Sequence, residues 1–393
     1  MQLTHKQAKI KKYIELALMM PFVFLGKVAG RMFRLKTSHK HFLFFPNGDI
    51  GGSIRVNADI ARLLADQKPL IIFSKKPRDN KFRAQFEIEG VRIIDLHKYI
   101  DNKWLHLLNF FFRGVLASWI HASKDAVVFG GETIYFYKII PHLKASVKKI
   151  ELCHVNTWFN YTLAFIDDID WRIFSTRQIK RDMEALYEKN KLPKLYFDRL
   201  RFIDNKIDIP QSYTVNNNQV LQVLYVGRGA AQKRVHLIAA IAKRMKAAQL
   251  NVHFSFVGDV EKVVPPDVQE FCTMYGTIKD PKVLEDLYNK TDVLILTSAF
   301  EGLPIVVMET MARGRIVLST AVSGIPDYIT DKENGLLLFT NTEAAIIEEG
   351  VHKIKWLLEN PQAVQHIGAN AYAYARAHFS AELFDKLYLE LMN

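Results

Sequence analysis

Only two cysteines occur in 393 residues, Cys153 and Cys272, and they lie far apart. No disulfide framework or cysteine-rich zinc site can be built from them, so a reducing cytoplasm is the expected setting. Acids are scarce at the start: residues 1–40 hold nine Lys or Arg against the single acid Glu15, within an overall net charge of +12. A long hydrophobic run is missing too. The stretch "LALMMPFVFLG" (16–26) is interrupted by Pro21 and falls short of the ~20 apolar residues that a bilayer-spanning helix needs. No small-residue cleavage site follows Gly26, which argues against a secretory leader. Residues 1–40 therefore read in one of two ways: a basic, apolar segment on an anionic membrane surface at the inner face, or a helix packed on the following domain. Nucleic acid is not an expected partner, because zinc-finger, RNP-like and helix-turn-helix signatures are all missing.

Apolar residues make up 49% of the chain and aromatics 12%, a composition that buries a core. The length favours two domains. A second basic cluster, "KKPRDNKFR" (75–83), is followed by "WLHLLNFFFRGVLASWIH" (104–121), which sets Phe110, Phe111, Phe112 and Trp119 beside Arg113. With 1–40, these features make an anionic lipid or lipid-linked partner an expectation for this half of the chain. Short apolar runs at 41–46, 69–74, 91–96, 125–130 and 150–155 read as buried strands. Helical patterns lie between them, as in "SIRVNADIARLLAD", with Ile54, Ala58, Ala61 and Leu64 on one face. The alternation repeats at 220–227, 252–258, 292–298 and 315–320. Two such series predict two doubly wound, Rossmann-like α/β domains facing a central cleft, at 41–207 and 220–393. The polar stretch 208–219, with Pro210 and three consecutive asparagines, is the expected linker.

Ligands of open α/β sheets bind beyond the carboxyl ends of the strands, and three motifs fall there. Gly51 and Gly52 lie in the first βα turn, where the backbone can approach a ligand closely; a simple tight turn reads equally well. In "YVGRGAAQKR", Arg228 and Lys233 follow a strand and suit a diphosphate, a planar fork beside a mobile point charge. In "FEGLPIVVMET" (300–310), Pro304 is placed to start a helix that buries Ile305, Val306, Met308 and Met311, with free amides around Leu303 and Ile305. Glu301 and Glu309 flank that turn as acceptors for sugar and ribose hydroxyls.

"SAFEGLPIVVMETMARG" resembles the E-x7-E signature of retaining glycosyltransferases of family 4. "VSGIPDYITDKENGLLL" (322–338) is similar to that family's Gly-Ile-Pro and Asn-Gly-Leu-Leu segments, and "YVGRGAAQKR" to its Gly-Arg-x4-Lys segment. In "FIDNKIDIP", Asn205 and Asp208 match the family's pattern while Lys206 replaces a glycine. The resemblance implies a GT-B enzyme moving a sugar from a nucleotide-diphosphate sugar to a glycan or lipid-linked acceptor, as in cell-envelope polysaccharide synthesis. It further implies that Arg228 and Lys233 bind the diphosphate, Glu309 the ribose and Glu301 the donor sugar. By the same resemblance the backbone of Gly302, Leu303, Pro304 and Ile305 lines the donor, Gly51 and Gly52 form the N-terminal glycine loop, and His154 lies near the sugar.

Against this stands "DDID" (Asp167, Asp168, Asp170), which resembles the metal motif of single-sheet glycosyltransferases. It sits in the half without the phosphate cations and reads as a surface turn, so no obligatory metal or cofactor is expected. The alternatives are a membrane-peripheral, nucleotide-sugar-binding scaffold, or a sugar-nucleotide epimerase or hydrolase on the same fold.

Overall fold

The computed structural model describes residues 4–49, 51–102, 104–216 and 218–393. The chain divides into two compact units, Met1–Asn205 with Asp385–Asn393, and Lys206–Phe384.

The first unit opens with helix α1 (His5–Met32), followed by β1 (His41–Phe45), α2 (Gly52–Leu63), β2 (Leu70–Phe73), β3 (Arg92–Asp95) and α3 (His106–His121). Strands β4 (Val127–Gly130), β5 (Lys148–Cys153), β6 (Trp171–Phe174) and β7 (Leu200–Phe202) complete it. All seven strands are parallel, in the order β3-β2-β1-β4-β5-β6-β7. Every residue of β1, β2 and β4 is buried. A parallel sheet covered on both faces demands this, and it explains why these strands read as continuous apolar runs. Strand β6 escaped that reading because Arg172 stands in it. The guanidinium is buried with Glu151 of β5: its Nε and one Nη donate to the carboxylate, and the other Nη donates to Tyr187 Oη at 2.7 Å. Tyr137 Oη donates to the same carboxylate at 2.5 Å. A charge inside a parallel sheet is tolerable only when paired and hydrogen-bonded in this way.

Helix α1 is one continuous 28-residue helix, opened by a capping box between Thr4 and Gln7. It runs through Pro21, so the apolar stretch 16–26 is not the short segment expected from the sequence. By length and composition, α1 is long and apolar enough to cross a membrane. Pro21 and Ala17 lie on its exposed side, where the carbonyl deprived of its helical donor can meet water. One face of α1 packs parallel against α3 at very short range: a Cβ on Gly26 would come within 1.9 Å of Phe111 O, and one on Gly114 within 2.0 Å of Val23 O. Ion pairs fix the register: Lys9 with Asp167, Lys12 with Asp168, and Glu15 with Lys138 and the buried Arg113. The acidic turn "DDID" thus anchors α1, with Asp170 accepting the Lys149 amide at 2.7 Å. The aromatic run on α3 is likewise interior in part, with Phe110 buried under the Arg113 guanidinium. The other face of α1 is apolar and exposed, including Ile10, Ile14, Leu18, Phe24, Leu25 and Met32.

The second unit contains β8 (Leu221–Val226), α4 (Val235–Ala247), β9 (Val252–Val257), β10 (Thr273–Met274), β11 (Val293–Leu296), α5 (Ile305–Met311), β12 (Ile316–Thr320) and β13 (Leu336–Leu338). Its six strands are parallel, in the order β10-β9-β8-β11-β12-β13. The order reverses between β8 and β11, the point of an open α/β sheet at whose strand ends ligands generally bind. Asn216 and Asn218, from the stretch 208–219, are tied down within this unit. Asn216 Nδ2 donates to Thr291 O and to Asp292 Oδ1, and Asn218 Nδ2 donates to both oxygens of the same carboxylate. Asn217, the middle asparagine of the three, lies outside the described residues.

Candidate active site

The loop after β8 and the loop after β11 are joined by a ladder of bonds at the reversal point. Ala299 N donates to Gln232 O at 2.8 Å, and Gln232 Nε2 donates to Phe300 O at 2.7 Å. Arg234, in the left-handed region at φ 47°, sends Nε to Thr297 O at 2.7 Å and an Nη to Ser298 O at 2.8 Å. Thr297 Oγ1 returns a bond to Arg234 O at 2.9 Å. Gly258, after β9, lies at φ 125°, and a Cβ there would meet Gly227 O at 1.8 Å, so only glycine lets the β9 loop close on the β8 loop.

This framework brings Lys233 and Glu301 together as an ion pair, their side chains only 15% and 7% exposed. Gly324, in the loop after β12, donates its amide to Glu301 O at 3.3 Å. Tyr225 Oη donates to Arg228 O at 2.9 Å, and burial, with the Glu301 charge nearby, raises the pKa of its phenol. The Arg228 side chain is exposed, and no ion pair among the described residues engages it. One loop therefore carries a clamped cation and a free one.

Pro304 is the N-cap of α5 rather than its first residue, and the helix begins at Ile305. Its buried residues are Val307, Met308, Thr310 and Met311, while Ile305 and Val306 are half-buried, so the core-facing stripe is turned from the expected one. The turn leaves Gly302 exposed and buries Leu303. Glu309 is half-buried on α5, and its carbonyl accepts from Arg313 at 3.0 Å. The first amides of such a helix have no partners within it and act as donors to an anion or hydroxyl.

In the first unit, Gly51 is the N-cap of α2 and Gly52 its first residue. Shortly before them, the Asp49 carboxylate accepts the amides of Arg78, Asp79 and Asn80. Partial burial pushes the Asp49 pKa up, but those amides outweigh it and hold the pKa below the usual range. They thereby fold the basic loop 75–83 over the end of β1. His154 follows β5, two strands away from β1. Its Nε2 is buried with no hydrogen-bond partner among the described residues, and burial depresses its pKa. Arg234, Gln232 and Gly324 build the framework but were not singled out from the sequence. They act through backbone carbonyls and amides, which leave no motif.

Residues 208–374 match the family described as glycosyl transferases group 1. The capsular polysaccharide biosynthesis glycosyltransferase CapM of Staphylococcus aureus is 23% identical over 226 residues, 56% of this chain and 58% of CapM. The chain spans about half the length of the curated relatives it matches. Among solved structures, Anabaena HepE in complex with UDP aligns with a TM-score of 0.69 at 16% identity, covering 89% of this chain and 98% of that one. The lipopolysaccharide outer core galactosyltransferase WaaB aligns with a TM-score of 0.70 at 18% identity, covering 90% and 99%. The chain therefore has the GT-B fold of two Rossmann-like domains, and its segment 208–374 is matched to the group 1 glycosyl transferases.

Proposed function

We propose that the chain is a retaining glycosyltransferase of the family 4 type, transferring a sugar, of hexose type, from a nucleotide-diphosphate donor to a glycan or lipid-linked acceptor of the cell envelope. The observation that carries this reading is the clamp at the reversal point of the second sheet, with Lys233 held by Glu301 and Arg228 exposed on the same loop. Departure of a nucleoside diphosphate from the anomeric carbon builds negative charge on phosphate. Arg228, Lys233 and the first amides of α5 are the groups that stabilise it. Glu301 and Glu309 then accept the hydroxyls of sugar and ribose, the former also holding Lys233 in position. HepE has been solved with UDP and with UDP-glucose, which makes a uridine donor the first to test.

Two observations in the first unit support a ligand at its strand ends. Gly51 lies at φ 172°, and a Cβ there would meet nothing nearer than Ile54 Cγ1 at 3.8 Å, so neither backbone nor packing demands glycine. A ligand approaching the backbone accounts for it. The buried Nε2 of His154, without a partner among the described residues, is a hydrogen-bonding group kept neutral for a donor-sugar hydroxyl. No obligatory metal or cofactor enters this reading. The exposed apolar face of α1 and its basic flanks support a position at the inner face of a membrane, where a lipid-linked acceptor would be presented.

The test is incubation with labelled UDP-sugars and a lipid-glycan fraction, followed by separation of products. UDP release with a new labelled glycan of unchanged anomeric configuration is expected. UDP or epimer formation without a glycan product would favour a hydrolase or epimerase, and nucleotide binding without turnover would favour a scaffold.

A further inference from the structure

Helices α1 and α3 run parallel, so their C-terminal ends lie together, and there they enclose an open cavity of about 400 Å³. Lys27 and Arg31 from the end of α1, Arg34 just beyond it and Lys144 from the loop before β5 line it, with Trp119 and His121 of α3. No acidic side chain lines it, and no ion pair among the described residues engages any of those four cations. Hydroxyls of Ser118 and Ser123 on one side and Thr37 and Ser38 on the other complete the wall.

Four like charges around one cavity repel each other, and two helix C-termini contribute only about half a negative charge apiece. The crowding is visible in its neighbours. The His121 pKa is lowered to about 4 by burial and by Lys144, Lys27 and Arg31, and its Nε2 accepts the Lys144 amide at 3.0 Å. Burial, with Arg31 close by, also lowers the Lys27 pKa. A cavity lined by uncompensated cations, with the hydroxyls of Ser38 and Ser118 beside them, matches an anion with several acceptor oxygens.

The surroundings narrow the source of that anion. Met32 and Phe33, between Arg31 and Arg34 in the chain, are 74% and 72% exposed. They continue the apolar face of α1 that carries Leu18, Phe24, Leu25 and Val28. A soluble phosphate has no use for such a face, whereas a lipid offers phosphate and hydrocarbon side by side. We propose that this cavity is a binding site for the phosphate headgroup of an anionic phospholipid, with the acyl chains meeting the exposed face of α1. The proposal rests on the membrane-facing reading of α1 and not on the transferase chemistry.

The test is sedimentation of the full chain with phosphatidylcholine vesicles, with and without phosphatidylglycerol, near physiological salt. Wild type is compared with Arg31→Gln/Lys144→Gln and with Lys6→Gln/Lys11→Gln. Lys6 and Lys11 are exposed, basic and not part of the cavity wall, so the control removes the same charge. Diffuse attraction to an anionic surface falls similarly with each cation removed, and a discrete site adds a further loss. The pocket variant is therefore expected to bind phosphatidylglycerol vesicles about tenfold more weakly than the control. Equal losses in the two variants would overturn the pocket and leave the membrane reading in place. No binding of wild type to anionic vesicles would overturn both. A thermal shift with inorganic phosphate that the pocket variant abolishes, with no vesicle preference, would overturn the lipid source. Nucleotide-induced stabilisation, measured in parallel, is expected to be the same in all three proteins, so failure here is separable from failure of the donor site.

Discussion

At the scale of residues, Lys233 and Arg228 follow one strand, yet the structure gives them different burdens. Removing Lys233 leaves the nearly buried Glu301 carboxylate without its cation. Lys233→Ala should therefore cost about 3 kcal/mol in urea unfolding and also weaken nucleotide binding. Arg228 is exposed, so Arg228→Ala should change stability by less than about 0.5 kcal/mol while weakening nucleotide binding about tenfold or more. Equal stability losses in the two variants would contradict the clamp. The cations and carboxylates were legible in the sequence because residue type and spacing carry them. Their pairing was not, because it depends on Arg234 reaching carbonyls more than sixty residues away. The buried Arg172–Glu151 pair was hidden for a similar reason. Arg172→Ala should destabilise the first unit by about 3–5 kcal/mol, since it strands a buried carboxylate, and a loss under 1 kcal/mol in chemical unfolding would contradict that.

At the scale of elements, α1 shows where pattern reading stops. Its sequence offered two exclusive readings, surface anchor or packed helix, and the structure gives one face to packing and leaves the other apolar and exposed. Glycines at the crossing carried no periodic signal, although Gly26 and Gly114 set how near the helices come. Gly26→Leu should force the helices apart, costing about 2–3 kcal/mol locally and exposing α1 to limited proteolysis. Ligand-free unfolding of the second unit should be unchanged. Protection equal to wild type would contradict the close crossing. Strands β1, β2, β4, β8 and β11 were legible because both sheet faces are covered. Strands β7, β10 and β13 are two or three residues long, too short for a period to show.

At the scale of the whole molecule, two parallel sheets followed from two series of alternating strands and helices. The boundary segment did not read so well, since asparagines that look like linker composition are ligands of Asp292. Titration adds a global prediction. His142 is held neutral by burial, its pKa lowered from 6.5 to about 3, and burial lowers that of His41 in the same direction. The unfolded chain takes up protons on both near pH 6.5 while the folded chain does not. Stability therefore rises with pH across this window, and is lost as pH falls from about 6.5 towards 3. The Tm of wild type should drop between pH 7 and 4.5, and His142→Gln should flatten that drop. An unchanged slope would rule out this source.

On the proposed function, the loops after β8 and β11 hold a nucleoside diphosphate. Thermal unfolding with UDP, GDP, ADP or CMP, repeated on Arg228→Ala and Glu309→Ala, tests it most directly. A ligand at about 100 times its dissociation constant stabilises by about 2.7 kcal/mol. One nucleotide should raise Tm clearly in wild type, and at the same concentration a tenfold weaker variant should keep only about half of that stabilisation, ~1.4 kcal/mol. A folded protein that no nucleotide stabilises, or a shift that both variants retain in full, would contradict the site.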